Sequence, residues 1–451
     1  MRKNNNSARL IRGPVGAILF KMTGPMVFGM VGMVAFNLVD TFFVGRLGTT
    51  ALAALTFTFP VVLFVNSISL GLGIGVSVMV SRAIGQGDTA RAQEIATASL
   101  FLALLAAIFF SLIGQLTINP VFSLLGANSE MLNLIRQYMV VWYWGAIFVV
   151  IPMVGNNAIR ATGDTKTPSL IMLTAVAINS ILDPLLIFGL GGFPRLGLSG
   201  AALATVISRM VIMILASWIL YYREKLIVFS YLVRRTVWSA WRSVLHIGLP
   251  AAASRLIMPV GIGIITNLIA SYGQAAVAAY GIGSRIDFFA LAVVISLASV
   301  IGPFVGQNWT AGKRERVITG LSYSNRFSLI YGTGMFLLLV FSGSAIAQLF
   351  SKNAEVISLV KLYLIIMPLS YGLRGVLAIT TSALNALKKP LISSGLSIGA
   401  MFLVYLPLMF LGSHLWGLAG IFAAAIPAYA LVALAGYIFV KSYLFKKTNK
   451  I

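Results

Sequence analysis

The sequence predicts an all-α polytopic membrane protein, with twelve transmembrane helices in two six-helix lobes related by a pseudo-twofold axis along the membrane normal. Of the 451 residues, 59% are hydrophobic and only 10% are charged, and the mean hydropathy is +0.96. The apolar runs reach about 20 residues, enough for a helix to cross a bilayer core. Outer-membrane strands instead alternate polar and apolar residues over about ten positions, so a barrel is disfavoured.

Apolar segments follow one another along the whole chain, each long enough to span the membrane. The first is retained as a span, because it is too long for a signal peptide and no small-residue cleavage site precedes a soluble domain. The segments are predicted to begin near residues 15, 51, 94, 131, 168, 197, 246, 276, 317, 356, 391 and 416.

The net charge of +23 follows membrane topology and does not indicate nucleic-acid binding. Basic residues fall on alternate connections, such as Arg82 and Arg91 after the second span and Lys388 and Lys389 after the tenth. The opposite connections carry few. By the positive-inside rule, both termini and the long middle connection are predicted to be cytoplasmic.

An internal repeat divides the chain. Pro25 matches Pro250 and Gly87 matches Gly312, each pair separated by 225 residues, and LGLSGAALAT at 196–205 matches WGLAGIFAAA at 416–425. An even number of spans per copy makes the repeats parallel, and a substrate path between the halves is then expected. The predicted domains are an N-terminal lobe at 1–222, a basic cytoplasmic linker at 223–245 and a C-terminal lobe at 246–451.

Two aspartates lie inside apolar segments of a chain that has only ten acidic residues: Asp40 at 26–45 and Asp183 at 169–190. A carboxylate at membrane depth is costly unless it is paired, hydrated or protonated, so it is a candidate for proton or ion traffic. When the two copies of the repeat are aligned, Ile265 corresponds to Asp40 and Tyr405 corresponds to Asp183. Since the fold does not require acids in one half only, the coupling site is predicted in the N-terminal lobe.

Further polar groups are predicted in the same layer as these acids. A helix rise of about 1.5 Å per residue places both aspartates about 8 Å below the outer face, with Tyr138 about 10 Å and Thr205 about 12 Å into their own spans. Asn179 precedes Asp183 by four residues and so shares its helix face. Such oxygen ligands suit a proton network or a hard monovalent cation, and no cluster resembles a transition-metal site.

Several motifs resemble the multidrug and toxic compound extrusion (MATE) family, and in particular its prokaryotic branch related to DNA-damage-inducible protein F. The likeness extends over essentially the whole chain. It is carried by Thr-Gly-Pro at 23–25, FNLVDTFFVGRLG at 36–48, SRAIGQGDTARA at 81–92, RATGDTKTP at 160–168 and NSILDPLLIFGLG at 179–191.

The resemblance implies an antiporter, not an enzyme, that exports organic and often cationic compounds while protons or sodium ions enter. Protons are the preferred coupling ion because of the branch resembled, and no cofactor is expected. Sodium at the same residues is the alternative. Carried over by position, the proton or cation site falls on Asp40, Asn179, Asp183 and Thr205, with Tyr138 nearby and helix bending at Pro25.

The expected setting is the prokaryotic cytoplasmic (inner) membrane, where the chain acts as a multi-pass monomer. The expected partners are small organic cations or drugs and membrane lipids, with no nucleic acid. Further candidates for the substrate path are Asn37, one turn before Asp40, Asn157 near the cytoplasmic end of span four, and Arg285. Asp164, in the TGDTKTP turn, is expected to be a solvated turn residue.

A flippase for lipid-linked or other anionic amphiphiles is the main alternative, because Arg255, Arg285 and Arg374 could hold a polyanionic headgroup. The acidic layer in the first half argues against it. For these arginines and Asp287, internal salt bridging is favoured over a direct transport role. An ATP-driven pump is not supported, because GQNWTAGKR at 306–314 has the wrong spacing and an arginine where a phosphate loop needs serine or threonine.

Overall fold

The computed structural model describes residues 9–233 and 237–448, and within these ranges the chain forms helices and no strand. Short 3₁₀ or π turns connect or extend several of the helices. The α-helices are α1 (Val15–Gly45), α2 (Thr49–Gly85), α3 (Thr89–Leu124), α4 (Ser129–Trp144), α5 (Ile147–Ala161), α6 (Lys166–Phe188), α7 (Leu198–Trp218), α8 (Val237–Ala270), α9 (Gln274–Thr310), α10 (Arg314–Phe350), α11 (Ala354–Ile366), α12 (Tyr371–Ala386), α13 (Pro390–Gly399), α14 (Leu406–Ala423) and α15 (Ala425–Thr448).

Within the described ranges, 11 helical segments are long and apolar enough to cross a membrane, and the bent pair α4 and α5 makes a twelfth span. The two members of that pair meet at an angle of 47°. Helices α11 and α12 form one span, as do α13 and α14. The predicted all-α polytopic fold is therefore confirmed.

The start predicted for the last span, near residue 416, coincides with a break inside α14. At Trp416 the backbone leaves helical geometry, and Gly417 adopts φ 59° and ψ −139°. Gly197, its partner in the repeat, adopts φ 55° and ψ −129° immediately before α7. The left-handed φ at both positions favours glycine, so the two halves repeat the same turn.

The repeat is also visible in helix caps. Gly87 and Gly312 have φ values of 77° and 76°. The side chain of Asn128 accepts from the backbone N–H of Met131 at the start of α4, and that of Asn353 caps α11 in the same way. These matched turns indicate that the two copies share local backbone geometry as well as sequence.

The structure divides into two compact units. The N-terminal unit contains Gly24–Ala252, and the C-terminal unit contains Leu10–Thr23 together with the chain from Ala253 onward. In the second unit, the backbone N–H of Leu10 donates to Gln307 Oε1 at 3.3 Å. The division therefore falls within α1 next to Pro25 and within α8 two residues after Pro250.

The predicted linker at 223–245 is partly helical, because α8 begins at Val237 and not near residue 246. Trp241 holds this early part of α8 against α3: its indole Nε1 donates to Ala98 O at 2.7 Å, and its ring lies 5.9 Å from that of Phe101. Because tryptophan provides a large apolar surface as well as a hydrogen-bond donor, its packing extends the helix into a basic segment that reads as a loop.

Asp164 is not simply solvated, contrary to the expectation for its turn. It accepts hydrogen bonds from Thr167 N at 3.0 Å and Thr167 Oγ1 at 2.6 Å, and it pairs with Arg223. Burial alone would raise the pKa of Asp164, but the Thr167 hydrogen bonds and the Arg223 charge outweigh it and hold the pKa below its ordinary value. This ion pair connects the start of α6 to the turn after α7.

Candidate coupling site

Glycines on α1 bring this helix close to α6. A Cβ atom at Gly29 would lie 3.2 Å from Ser169 Cα, and one at Gly32 would lie 2.8 Å from Leu173 Cδ2. These contacts set the two helices side by side and in the same direction. Asp40 is about 12 Å beyond Gly32 along α1, and Asp183 is about 15 Å beyond Leu173 along α6, so the acids reach similar levels.

Both carboxylates are buried and electrostatically close. Asp183 is 0% exposed and Asp40 is 9% exposed, and the two interact through space. Asn179 Nδ2 donates to Asp183 Oδ1 at 3.1 Å, as expected for residues one helical turn apart. The predicted proximity of Asp40, Asp183 and Asn179 therefore exists in the structure.

Four oxygens on α1, α6 and α7 are buried without a hydrogen-bond partner among the described residues. They belong to the four residues predicted as proton or cation ligands: Asp40 Oδ1, Asn179 Oδ1, Asp183 Oδ2 and Thr205 Oγ1. Buried polar atoms are normally paired, because an unpaired one forfeits its interaction with water. We call these four residues the oxygen cluster. Its acceptor groups suit a proton or a hard cation such as Na⁺, and they do not suit an anion.

Tyr138 and Arg209 adjoin the oxygen cluster. Tyr138 on α4 is buried and interacts electrostatically with Asp40, Asp183 and Arg209. The guanidinium carbon of Arg209 on α7 lies 4.8 Å from the centre of the Phe36 ring on α1. A positive charge therefore lies among the same helices as the two acids.

Arg209 is the main residue that sequence reasoning missed. It follows Thr205 by four residues on α7, so the same-face rule that links Asn179 to Asp183 would have found it. The positive-inside rule applies to arginines on the connections between spans. An arginine inside a span calls instead for a partner within the protein.

The other residues predicted from sequence are not part of the oxygen cluster. Asn157 is buried on α5, where its Nδ2 donates to Met153 O and its Oδ1 accepts from Arg160 Nη2, both at 2.7 Å. Arg285 is exposed on α9, in the other unit. Pro25 lies within α1. The side chain of Asn37 lies outside the described part of the structure.

The C-terminal unit has a different polar cluster. Arg374 Nη1 donates to Asp287 Oδ2 at 2.9 Å, and the hydroxyl of Tyr371 donates to Asp287 Oδ1. The guanidinium carbon lies 5.5 Å from the centre of the Tyr429 ring. The favoured salt bridging is thus present for Asp287 and Arg374, whereas Arg255 and Arg285 are exposed.

The repeat relates these two clusters position by position. Ile265 and Tyr405, the counterparts of Asp40 and Asp183, are both buried. Tyr363 is the counterpart of Tyr138 at the 225-residue offset, and Tyr429 that of Arg209 at the 220-residue offset. The C-terminal unit therefore replaces the acid pair with an apolar and a phenolic side chain.

Comparison with known proteins identifies the family. The sequence profile of the MatE family matches residues 25–185 and 250–411, one segment in each half of the repeat. The chain belongs to the MatE family of transporters. The predicted family and the multi-pass membrane character are thereby confirmed, and both matches begin at the paired prolines, Pro25 and Pro250.

Individual MatE relatives differ in what they carry. The chain is 39% identical, over 95% of both sequences, to a protein of Shewanella oneidensis named FAD transporter. It is 27% identical to the multidrug export protein MepA of Staphylococcus haemolyticus, over 88% of this chain and 87% of that protein. The MATE transporter VcmN of Vibrio cholerae, in its bent form, superposes with a TM-score of 0.91 at 30% identity, covering 96% of this chain and 97% of VcmN.

Proposed function

We propose that this MatE protein is a secondary active antiporter that exports organic compounds, including cationic drugs, while protons enter the cell. It would act without a catalytic step, as a monomer in the prokaryotic cytoplasmic (inner) membrane with both termini cytoplasmic. Asp40 and Asp183 would be the coupling carboxylates. The observation that supports this proposal most directly is the oxygen cluster, whose buried acceptors lack partners among the described residues.

The hydrogen bond from Asn179 suggests how a proton would be held. It occupies Asp183 Oδ1 and leaves Oδ2 as the unpartnered atom. A proton on Oδ2 would remove an unfavourable buried charge and create an O–H donor. The other unpartnered acceptors are Asn179 Oδ1 on the same helix and Thr205 Oγ1 on α7, which packs against α6, and either could receive such a donor. Loading a proton would thus tighten contacts between α6 and α7.

Transport would follow because the oxygen cluster favours different contacts with and without a bound proton. Without a proton, the two neighbouring carboxylates repel each other and attract a cationic substrate or water. With a proton, the cluster can satisfy its own hydrogen bonds. Alternating access would couple these states to opposite sides of the membrane, so that an inward proton gradient drives outward export.

Sodium coupling at Asp40, Asn179, Asp183 and Thr205 is the competing version, since their oxygens would also coordinate a hard cation. Dye efflux from proteoliposomes separates the two when proton and sodium gradients are imposed one at a time. We expect efflux with the proton gradient alone. Efflux that requires the sodium gradient would contradict proton coupling while retaining the site, and efflux with neither would contradict antiport.

A second candidate function is export of an anionic flavin nucleotide. The relative named FAD transporter suggests it, and the tyrosine-rich cluster that contains the Arg374 guanidinium, paired with Asp287, provides independent support. Release of FAD from preloaded proteoliposomes under a proton gradient tests this candidate against a cationic dye. FAD retention alongside normal dye export would leave the multidrug proposal and reject the flavin one.

A further inference from the structure

We propose that the side chains around Arg374 form a binding subsite for an aromatic phosphate ester, in which Arg374 holds the phosphate and the neighbouring Tyr280 contacts the ring. The subsite deepens the second candidate above and depends on it for its place in transport. It is distinct from the oxygen cluster, because all its residues belong to the C-terminal unit.

Arg374 retains donors for a ligand. Of the five N–H groups of a guanidinium, Nη1 donates to Asp287, and the ring of Tyr429 is the other described contact. The side chain is 27% exposed. Charged side chains at membrane depth face the protein interior or a water-filled cavity. The exposed part of Arg374 is therefore placed to meet a solute and not lipid.

Asp287 orients this arginine without occupying it fully. Both carboxylate oxygens are engaged, Oδ1 by the Tyr371 hydroxyl and Oδ2 by Arg374. The acid is thus fixed in place and keeps one edge of the guanidinium fork occupied. The remaining edge can donate to phosphate oxygens in the bidentate geometry that distinguishes arginine from lysine.

Aromatic side chains surround the charged pair. Tyr405 and Tyr429 have ring centres 6.1 Å apart, and Tyr280 and Tyr363 have ring centres 6.2 Å apart. All four interact electrostatically with Arg374. Tyr363, Tyr405 and Tyr429 are buried, whereas Tyr280 is half-buried, so Tyr280 has surface left to pack against a planar ring and to donate a hydroxyl hydrogen bond.

The two units therefore have opposite hydrogen-bonding character. The oxygen cluster presents unpartnered acceptors and two acids. The Arg374 cluster presents a guanidinium and phenolic hydroxyls, and both oxygens of its acid are already engaged. Acceptors favour a proton or cation, whereas donors favour an anion. This difference assigns the phosphate to the C-terminal unit.

The test compares riboflavin with its phosphate ester, FMN, as probes of the purified protein in lipid nanodiscs without any gradient. Binding is followed by flavin fluorescence. FMN carries a phosphate that riboflavin lacks, and hydrogen bonds between charged groups are stronger than neutral ones. The wild type should therefore bind FMN roughly tenfold or more tightly than riboflavin. Arg374→Gln should abolish this preference and leave riboflavin affinity unchanged. Lys361→Gln removes one positive charge from an exposed position in the same unit and should leave both affinities unchanged.

Asp287→Asn provides an opposite change. Removing the carboxylate releases the guanidinium edge and removes a charge that repels phosphate, so FMN binding should tighten several-fold with riboflavin unaffected. Equal loss of FMN and riboflavin binding in Arg374→Gln would overturn the subsite and leave a structural ion pair. An FMN preference that survives Arg374→Gln, or wild-type protein that binds no FMN, would also overturn it.

If Arg374→Gln does not fold, the wild type decides the matter through competition with inorganic pyrophosphate. Pyrophosphate should displace FMN but not riboflavin, and failure to displace FMN would overturn the proposal. These binding measurements use no gradient, so their failure is separate from failure of proton coupling. FAD export that persists without a role for Arg374 would retain the second candidate and reject this subsite.

Discussion

Asn179 donates to one oxygen of Asp183, at 3.1 Å, while the other oxygen of that buried carboxylate has no partner within the described residues. The arrangement fixes the carboxylate and leaves one atom available to a proton. Both residues are 0% exposed. In a water-poor environment such a half-satisfied acid is unfavourable when ionised, which makes it suitable for binding and releasing a cation.

Asp40→Asn should reduce proton-driven efflux to the level of empty liposomes, because an amide of the same shape cannot cycle a proton. Asp183→Asn should behave similarly. Insertion and thermal stability should remain close to wild type. Efflux of a fluorescent cation from proteoliposomes is the measurement. Glu130→Gln, at an exposed acid in the first turn of α4, is the matched control. If Asp40→Asn keeps wild-type efflux, Asp40 is not part of the coupling site.

Pro25→Ala should reduce the transport rate several-fold while changing substrate affinity little. Proline has no backbone N–H, so the helix is weakened at this point and bends at low energetic cost. Transport and equilibrium binding should be measured on the same preparation. Pro60→Ala, within α2 of the same unit, controls for removing a helix proline. If Pro25→Ala turns over like the wild type, the proline is only a static feature of α1.

Arg209→Gln should lower proton-driven efflux, and Arg209→Lys should restore it only in part. The guanidinium stacks on Phe36, one turn before Asp40, and such a contact is worth about 2 kcal/mol when desolvated. Lysine keeps the charge but loses the planar stacking. Arg46 makes the same kind of contact with Phe42 at 4.7 Å, at an exposed position, so Arg46→Gln is the control. Equal effects at both positions would indicate a general loss of aromatic packing.

Asp164→Ala should destabilise the purified protein by about 1–2 kcal/mol, combining a lost helix cap with a partly exposed ion pair. Asp88 caps α3 by accepting from Arg91 N at 2.8 Å, and within the described ranges it has no comparable link to another helix. Asp88→Ala should therefore cost about 1 kcal/mol. The difference between the two variants in thermal unfolding measures the combined contribution of the Arg223 ion pair and the Thr167 hydroxyl hydrogen bond.

The Asp164 contribution should depend on pH. Its folded pKa lies below its ordinary value, whereas the unfolded value is about 3.9. The stabilisation is therefore fully present above the unfolded pKa and is lost as the pH falls through the folded pKa. Wild type and Asp164→Ala should differ in stability near neutral pH, and this difference should begin to shrink below about pH 4 and vanish below the folded pKa. A difference that persists at lower pH would show that packing, not charge, dominates.

Asp40 and Asp183 could be selected from sequence because a carboxylate inside a long apolar segment is a local signal. Asn179 followed from helical spacing alone. Arg209 has the same spacing from Thr205, but its importance depends on Phe36, which is distant in sequence. The bond between Arg374 and Asp287 joins residues 87 positions apart. No local period predicts which of several arginines pairs with an acid.

The sequence by itself determined the spans, the duplication and the unequal distribution of acids between the halves. Each of these follows from hydropathy or from residues at fixed offsets, and such properties exist before the chain folds. Tertiary structure alone decided which oxygens remain unpartnered, that Asp164 pairs with Arg223, and that Trp241 extends α8 into the basic linker. These features depend on which helices approach closely, and that distance is set by packing between segments remote in the chain.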